Sequence, residues 1–206
     1  MDELKYIPKD DCDQLSPLDK TVKVNVLPYL KDLSVVLCVV LIVFLFCFRI
    51  AVVDGSSMKN TLVDGDLVLL VNSAVAGEPK QGDIIVASKS SYANGAPIIK
   101  RVIATEGQKV DINFATGTVS VDGVVLDEPY ISSATTNFEG VTFPYTVEEG
   151  CVFVLGDNRG NSKDSRDPDI GTIDCREIVG KAFFLLSPGT DKGRQERDFS
   201  RIGALS

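Results

Sequence analysis

Residues 33–48 read LSVVLCVVLIVFLFCF, sixteen positions with no charge and one hydroxyl, Ser34. Coiled as an α-helix the run spans about 24 Å, a little under the ~30 Å of a bilayer's hydrocarbon core. Arg49 follows, then Ile50-Ala51-Val52-Val53. An arginine there can carry its guanidinium up to the headgroups, which lengthens the usable span to about residue 50. A cleaved leader is disfavoured, because 32 mostly polar residues precede the run and no small-residue cleavage site closes it. A buried core helix is possible at this length, but the run is apolar on every side, which a single membrane span fits best. The reading that remains is a single transmembrane signal anchor over 33–50.

Upstream, residues 1–32 carry five lysines and seven acidic residues, with Pro8, Pro17 and Pro28. They read as a polar cytoplasmic tail holding at most a short helix. Lys20, Lys23 and Lys31 precede the run, and Arg49 and Lys59 follow it. That slight excess of basic residues favours the N-terminal side as the cytoplasmic one.

Downstream the pattern changes to short β-strands. Segments 66–72, 84–88, 98–105, 109–113, 118–121, 151–155 and 181–186 are rich in Val, Ile and Phe. Asp64-Gly65, Gly82-Asp83, Asp122-Gly123 and Gly156-Asp157 punctuate them. Residues 119–126 predict a hairpin around Asp122-Gly123. The expectation is one all-β domain over 51–188, an antiparallel sheet coiled or closed like a barrel. Residues 127–150 look irregular, a small strand pair or an inserted loop. The charged stretch 189–206 is expected to fray.

Composition narrows the chemistry. The 206 residues include 21 Lys and Arg against 29 Asp and Glu, a net charge of −8, which disfavours nucleic acid as a partner. There are no histidines. That removes Ser-His-Asp triads, Cys-His dyads and His-bound metals, so acid–base work falls to Lys, Asp, Glu, Tyr or Cys. Neither a metal nor an organic cofactor is indicated. None of the five cysteines forms a CxxC pair; Cys151 and Cys175 read as buried free thiols or as a disulfide in an oxidising compartment.

Three segments concentrate polar chemistry. Asp54-Gly-Ser-Ser-Met-Lys-Asn-Thr-Leu62 places Ser57 just after the apolar run, although alone it reads at least as well as an ordinary Ser/Gly turn. Ile98-Ile-Lys-Arg-Val-Ile103 embeds Lys100 and Arg101 in an apolar strand. Such a pair is either an edge strand facing water or a buried lysine, whose amine loses its proton readily enough to act as a base. Gly156-Asp-Asn-Arg-Gly-Asn-Ser-Lys-Asp-Ser-Arg166 is a dense charged loop after a strand.

Taken together, and in this order, these segments resemble the boxes of type I signal peptidases, with Gly82–Val86 as the intervening Gly-Asp-Ile-Val strand. The resemblance covers residues 33–187 and points to the short Gram-positive-type members. It implies a membrane-bound serine endopeptidase that removes signal peptides from translocated preproteins, cutting after small residues of the Ala-x-Ala kind. Its catalytic domain would lie on the extracytoplasmic side of the cell membrane.

Residue by residue it implies Ser57 as nucleophile and Lys100 as general base, with Ser162 hydrogen-bonded to the Lys100 amine. It implies Arg101–Asp157 and Asp164–Arg166 as supporting ion pairs, and the Ser57 N–H as oxyanion donor. Met58 would face substrate, and Val53 and Ile85 are expected in the walls of the cleft. Absence of histidine agrees independently, since a serine nucleophile then needs another base.

Three positions depart from the family pattern: Asn60 in place of Pro, Ala104-Thr105-Glu106 in place of Gly-Leu-Pro, and Gly55 where some members carry a hydroxyl. Two other readings compete. A Ser-Lys self-cleaving repressor-type protein would be soluble, and a catalytically inactive membrane-tethered module would cleave nothing.

Overall fold

The computed structural model describes residues 26–190 and 196–205. Of the polar tail expected over residues 1–32, residues 1–25, with Cys12, lie outside the described residues, and residues 26–32 belong to the first helix. The chain divides into a helical unit up to Ile42 and a β unit from Val43.

Helix α1, Val26–Cys47, has 22 residues and buries none of them. At 1.5 Å per residue it is about 33 Å long, enough to cross a hydrocarbon core. It starts seven residues before the apolar run. Pro28 is no obstacle there, because first-turn N–H groups have no helical partner to lose. It stops at Cys47, three residues short of the boundary expected from hydropathy. The Asn72 side chain donates to the Phe46 carbonyl at 3.0 Å, satisfying an end-of-helix acceptor. Phe48 then opens β1, Phe48–Val52, which pairs antiparallel with β2, Leu67–Asn72. Residues 48–50, apolar enough to extend an anchor, are drawn into the sheet by that ladder.

The β unit is antiparallel throughout. Its remaining strands are β3 (Ile84–Ser88), β4 (Pro97–Thr105), β5 (Lys109–Asn113), β6 (Thr118–Val121), β7 (Val124–Val125), β8 (Tyr145–Thr146), β9 (Cys151–Leu155), β10 (Ile173–Asp174), β11 (Ile178–Ser187) and β12 (Gly203–Ala204). A one-turn helix α2, Ser73–Ala76, follows β2. The large sheet runs β1-β2-β11-β3-β4-β9-β10, with β12 added on β11. The small sheet runs β7-β6-β5-β8. The large path is open, with β1 and β10 at its ends, so the coiled sheet is not a closed barrel. Asp122 and Gly123 both take positive φ, 53° and 82°, as a tight hairpin between β6 and β7 requires.

Strand β3 shows how the core is divided. Ile84 and Val86 enter one cluster with Val53, Met58, Leu62 and Val68. Ile85 and Ala87 enter another with Val102, Val152 and Val154. Successive side chains point to opposite faces and both faces are covered, which explains a continuous apolar strand in place of an alternating one. A third cluster, including Val110, Ile112, Val119 and Phe153, joins the two sheets.

The segment 196–205, expected to fray, is ordered. Gly203 and Ala204 pair with Leu185 and Phe184, and the Leu205 N–H donates to the Phe183 carbonyl at 2.9 Å. Cys151 and Cys175 are both free thiols.

Candidate active site

Ser57 stands in a turn, residues 55–66, closed by its own backbone. Gly55 N–H donates to Asp64 Oδ1 at 2.8 Å, and Leu62 N–H to the Met58 carbonyl at 2.8 Å. Gly55 has φ +96°, which a side-chain-bearing residue rarely adopts, so the glycine in place of a hydroxyl is built into this turn. The Lys59–Asn60 peptide bond is cis.

From the opposite side the loop after β9 grips the same turn. Asn158 N–H donates to the Ser57 carbonyl at 2.9 Å, and its side-chain amide donates to the Ser56 carbonyl at 3.0 Å. Asn161 donates to Ser56 Oγ at 2.9 Å.

Lys100, on β4, is 5% exposed. Its Nζ lies 2.8 Å from Ser57 Oγ and 3.0 Å from the Ile99 carbonyl. Burial disfavours the charged ammonium and pulls the Lys100 pKa from 10.5 to about 8, against the opposing pull of Asp164 and Asp157. Both of those carboxylates are matched by arginines. Arg101 clamps Asp157 with two bonds, Nε to Oδ1 at 2.9 Å and Nη2 to Oδ2 at 2.8 Å. Arg166 holds Asp164 through Nε to Oδ1 at 2.8 Å and Nη2 to Oδ2 at 2.9 Å. All four side chains are buried. A buried amine without these arginines would face two bare carboxylates and keep its proton far more firmly.

Ser162 is close to the pair but not bonded to Lys100. Its Oγ donates to the Lys163 carbonyl at a long 3.4 Å, and it crowds Gly156. Met58, expected to face substrate, is instead sealed in the core beneath the turn at 1% exposure. Its thioether fills that cluster, so it supports the turn from below.

A cavity of about 280 Å³ opens beside the pair. Ala51, Val53 and Asp54 line one side, Pro97, Ile98 and Ile99 the other, with Val86, Ser57 and Lys100 at its base. Val53, expected in a cleft wall, is among the residues that line this cavity. Ile85 is not, because strand alternation turns it to the opposite face. It lines a separate, larger cavity of about 390 Å³ with Glu78, Cys175 and Lys181, which contains neither Ser57 nor Lys100.

Several contributors were not evident from residue order. The Thr61 hydroxyl donates to Asp157 Oδ2 in a short hydrogen bond. The Tyr130 ring lies over the Arg101 guanidinium, 3.9 Å from Cζ to centroid. Arg159 is fully buried and bonded to Glu128 and Thr135. The motifs contain Thr61 and Arg159 but say nothing of their partners, and Tyr130 lies outside them. Of the departing residues, Ala104 is buried in the core that joins the two sheets, and the Glu106 side chain accepts from Gly150 N–H at 2.8 Å, so that loop is a packed turn far from the amine. Among the described residues no group of three or more acidic or cysteine side chains is arranged to hold a metal ion.

With this geometry in view, comparison with known proteins is informative. A family model described as signal peptidase, peptidase S26, matches residues 26–187. Signal peptidase I T of Bacillus subtilis (strain 168) is 36% identical over 186 residues, covering 82% of this chain and 91% of its own. Signal peptidase I of Bacillus caldolyticus is 38% identical over 167 residues, covering 75% of this chain and 87% of its own. A crystal structure of a signal peptidase I from Enterococcus faecalis V583 is 32% identical, with a TM-score of 0.42, and covers 50% of this chain and 96% of its own.

Proposed function

This chain belongs to the signal peptidase family, as a serine endopeptidase that removes signal peptides, and we propose that it works through Ser57 as nucleophile and Lys100 as general base. The observation that carries the proposal is the 2.8 Å separation of Lys100 Nζ and Ser57 Oγ, with the amine buried and its neighbouring carboxylates already matched by Arg101 and Arg166. A neutral amine in that position accepts the hydroxyl proton as Ser57 Oγ attacks the scissile carbonyl carbon. The protonated Lys100 then gives its proton to the departing amine nitrogen, leaving an ester on Ser57. Water, deprotonated in turn by Lys100, hydrolyses that ester and restores the free serine. The Ser57 N–H is the proposed donor to the oxyanion. Ser162, within the same loop, is proposed to bond the amine when substrate closes the site, since such contacts often tighten only in the loaded enzyme.

The substrate reading follows from the cleft. β1 is an unpaired edge of the sheet, and the opposite wall is the extended start of β4. An extended peptide can hydrogen-bond along such an edge, with alternate side chains directed into the floor. Val53, Val86 and Ile99 give the cleft a shallow apolar lining, which favours small residues before the cut. Helix α1 is proposed as a single-pass anchor in the cell membrane, with the catalytic domain on the extracytoplasmic face, where translocated preproteins emerge.

The test is cleavage of a labelled preprotein by detergent-solubilised full chain, compared with Ser57→Ala and Lys100→Ala. Cleavage after a small residue, lost in both variants, is the expected result. Survival in Lys100→Ala would displace Lys100 as base, and an inert, folded wild type would favour the inactive-module reading.

A further inference from the structure

The segment 196–205 lies beyond the matched family region, which ends at residue 187, and the mechanism above makes no use of it. It nevertheless reaches the nucleophile turn. Arg201 donates from Nη2 to the Thr61 carbonyl at 3.1 Å and to Asp66 Oδ2 at 2.7 Å, and from Nη1 to Asp66 Oδ1 at 3.0 Å. Asp66 is fully buried. Its two oxygens also accept from Val63 N–H at 2.8 Å and Gly189 N–H at 2.7 Å. A buried carboxylate with a two-pronged arginine and two backbone donors is a rigid joint, because removing any partner leaves charge without compensation.

Thr61 is therefore held at both ends, its carbonyl by Arg201 and its hydroxyl by Asp157. Asp157 is in turn clamped by Arg101, the neighbour of Lys100 along β4. Two opposed grips on one residue define where the downstream half of the Ser57 turn sits relative to the strand that carries the base. We propose that Arg201 is a positioning residue for the nucleophile, holding the 55–66 turn in register with Lys100 through Thr61 and Asp66. This rests on the Ser57–Lys100 reading. Arg201 touches neither of those side chains in the recorded hydrogen bonds, so it acts through the turn and not as a catalytic group.

The consequence is kinetic. Displacing a reacting atom by about an ångström costs on the order of a hundredfold in rate without altering how substrate binds. Arg201→Met removes the charged fork while keeping the length of the side chain. In full chain at the pH of maximal rate it should lower kcat by about ten- to a hundredfold and leave KM within about twofold. Arg201→Lys restores a charge that can reach either Asp66 or Thr61 but not both, so it should recover only part of the loss. Circular dichroism melts of each variant report the folded fraction at the assay temperature. Wild type and Ser57→Ala are assayed alongside, so that failure of the dyad reading appears in those arms alone. Unchanged kcat in folded Arg201→Met would overturn the inference. So would a loss that tracks the unfolded fraction, or one confined to KM.

Discussion

Lys100 and Ser57 are 43 residues apart in the chain, yet their Nζ and Oγ atoms lie within 2.8 Å of each other. The contact joins a strand interior to a surface turn. Each side is held independently, Lys100 by the β3 and β9 ladders and Ser57 by the Asn158 N–H on its carbonyl, with Asn161 bonded to the neighbouring Ser56 hydroxyl. Pre-organisation of this kind spares the reaction the cost of bringing nucleophile and base together.

The pH dependence should bear the mark of a buried amine. Burial sets the Lys100 pKa at about 8, and only the neutral form accepts a proton. We expect kcat/KM to climb roughly tenfold per pH unit below that value and to level off above it. Lys100→Arg should be inert from about pH 6 to about pH 10, since a guanidinium keeps its proton throughout. A profile with no acid limb near 8 would remove Lys100 from the base role.

The same burial costs stability. The folded pKa of about 8 lies below the ordinary 10.5, so between those values the unfolded chain binds more protons and stability rises with pH. Below about 8 the full cost is present. Lys100→Met should thus be inactive yet more stable than wild type at neutral pH, by about 1–3 kcal/mol. Above about pH 10.5 the advantage should vanish. Denaturant unfolding at both pH values measures this directly.

Asp157→Ala would strip the carboxylate from a fully buried Arg101 and from the Thr61 hydroxyl together. Breaking one side of a buried pair costs about 3–5 kcal/mol, so the variant should unfold well below the wild-type midpoint. An unchanged melting temperature would show that Arg101 finds another partner.

Tyr130 contributes through its ring face. With the Arg101 cation 3.9 Å from the ring centroid, Tyr130→Leu should cost about 0.5–2 kcal/mol of stability. Tyr130→Phe should lose less, because the π face is kept; equal losses would place the effect in the hydroxyl's bond to Glu128.

Gly156 leaves no room for a side chain. A Cβ there would sit 2.1 Å from Ser162 Oγ and 2.5 Å from the Ser57 carbonyl. The Ser162 hydroxyl can rotate away, but its Cβ, 2.5 Å from the added carbon, and the Ser57 backbone must both shift, and the latter carries Oγ with it. We expect Gly156→Ala to fold and to lose about a hundredfold in kcat. A variant of normal rate would mean that the turn has more latitude than its hydrogen bonds indicate.

The strands were legible in the sequence because Val, Ile and Phe runs between Gly-Asp and Asp-Gly pairs are a local signal, and β3, β5, β6 and β9 begin and end where that signal does. The absence of histidine is equally decisive, since a serine nucleophile then needs another base and a lysine can serve. Hydropathy marks the expected anchor over 33–50, whereas the helix spans Val26–Cys47, because Val26–Leu30 coils without being uniformly apolar and Phe48–Ile50 is claimed by pairing with β2. The family resemblance implies a substrate-facing Met58 and the strand 84–86 suggests a cleft-wall Ile85, but the packing beneath the turn and strand alternation decide which way they face.

Composition and order along the chain therefore determined the element types and, through the family resemblance their motifs carry, pointed to the reaction class and to Ser57 and Lys100 as the proposed pair. Tertiary structure alone decided that the lysine is buried, that Arg101 and Arg166 match the carboxylates beside it, that Tyr130 covers Arg101, and that Asp157 and Arg201 both grip Thr61. Those contacts join residues as many as 140 positions apart. No local pattern encodes them, because they exist only once the ladders have closed and expelled water from between the side chains.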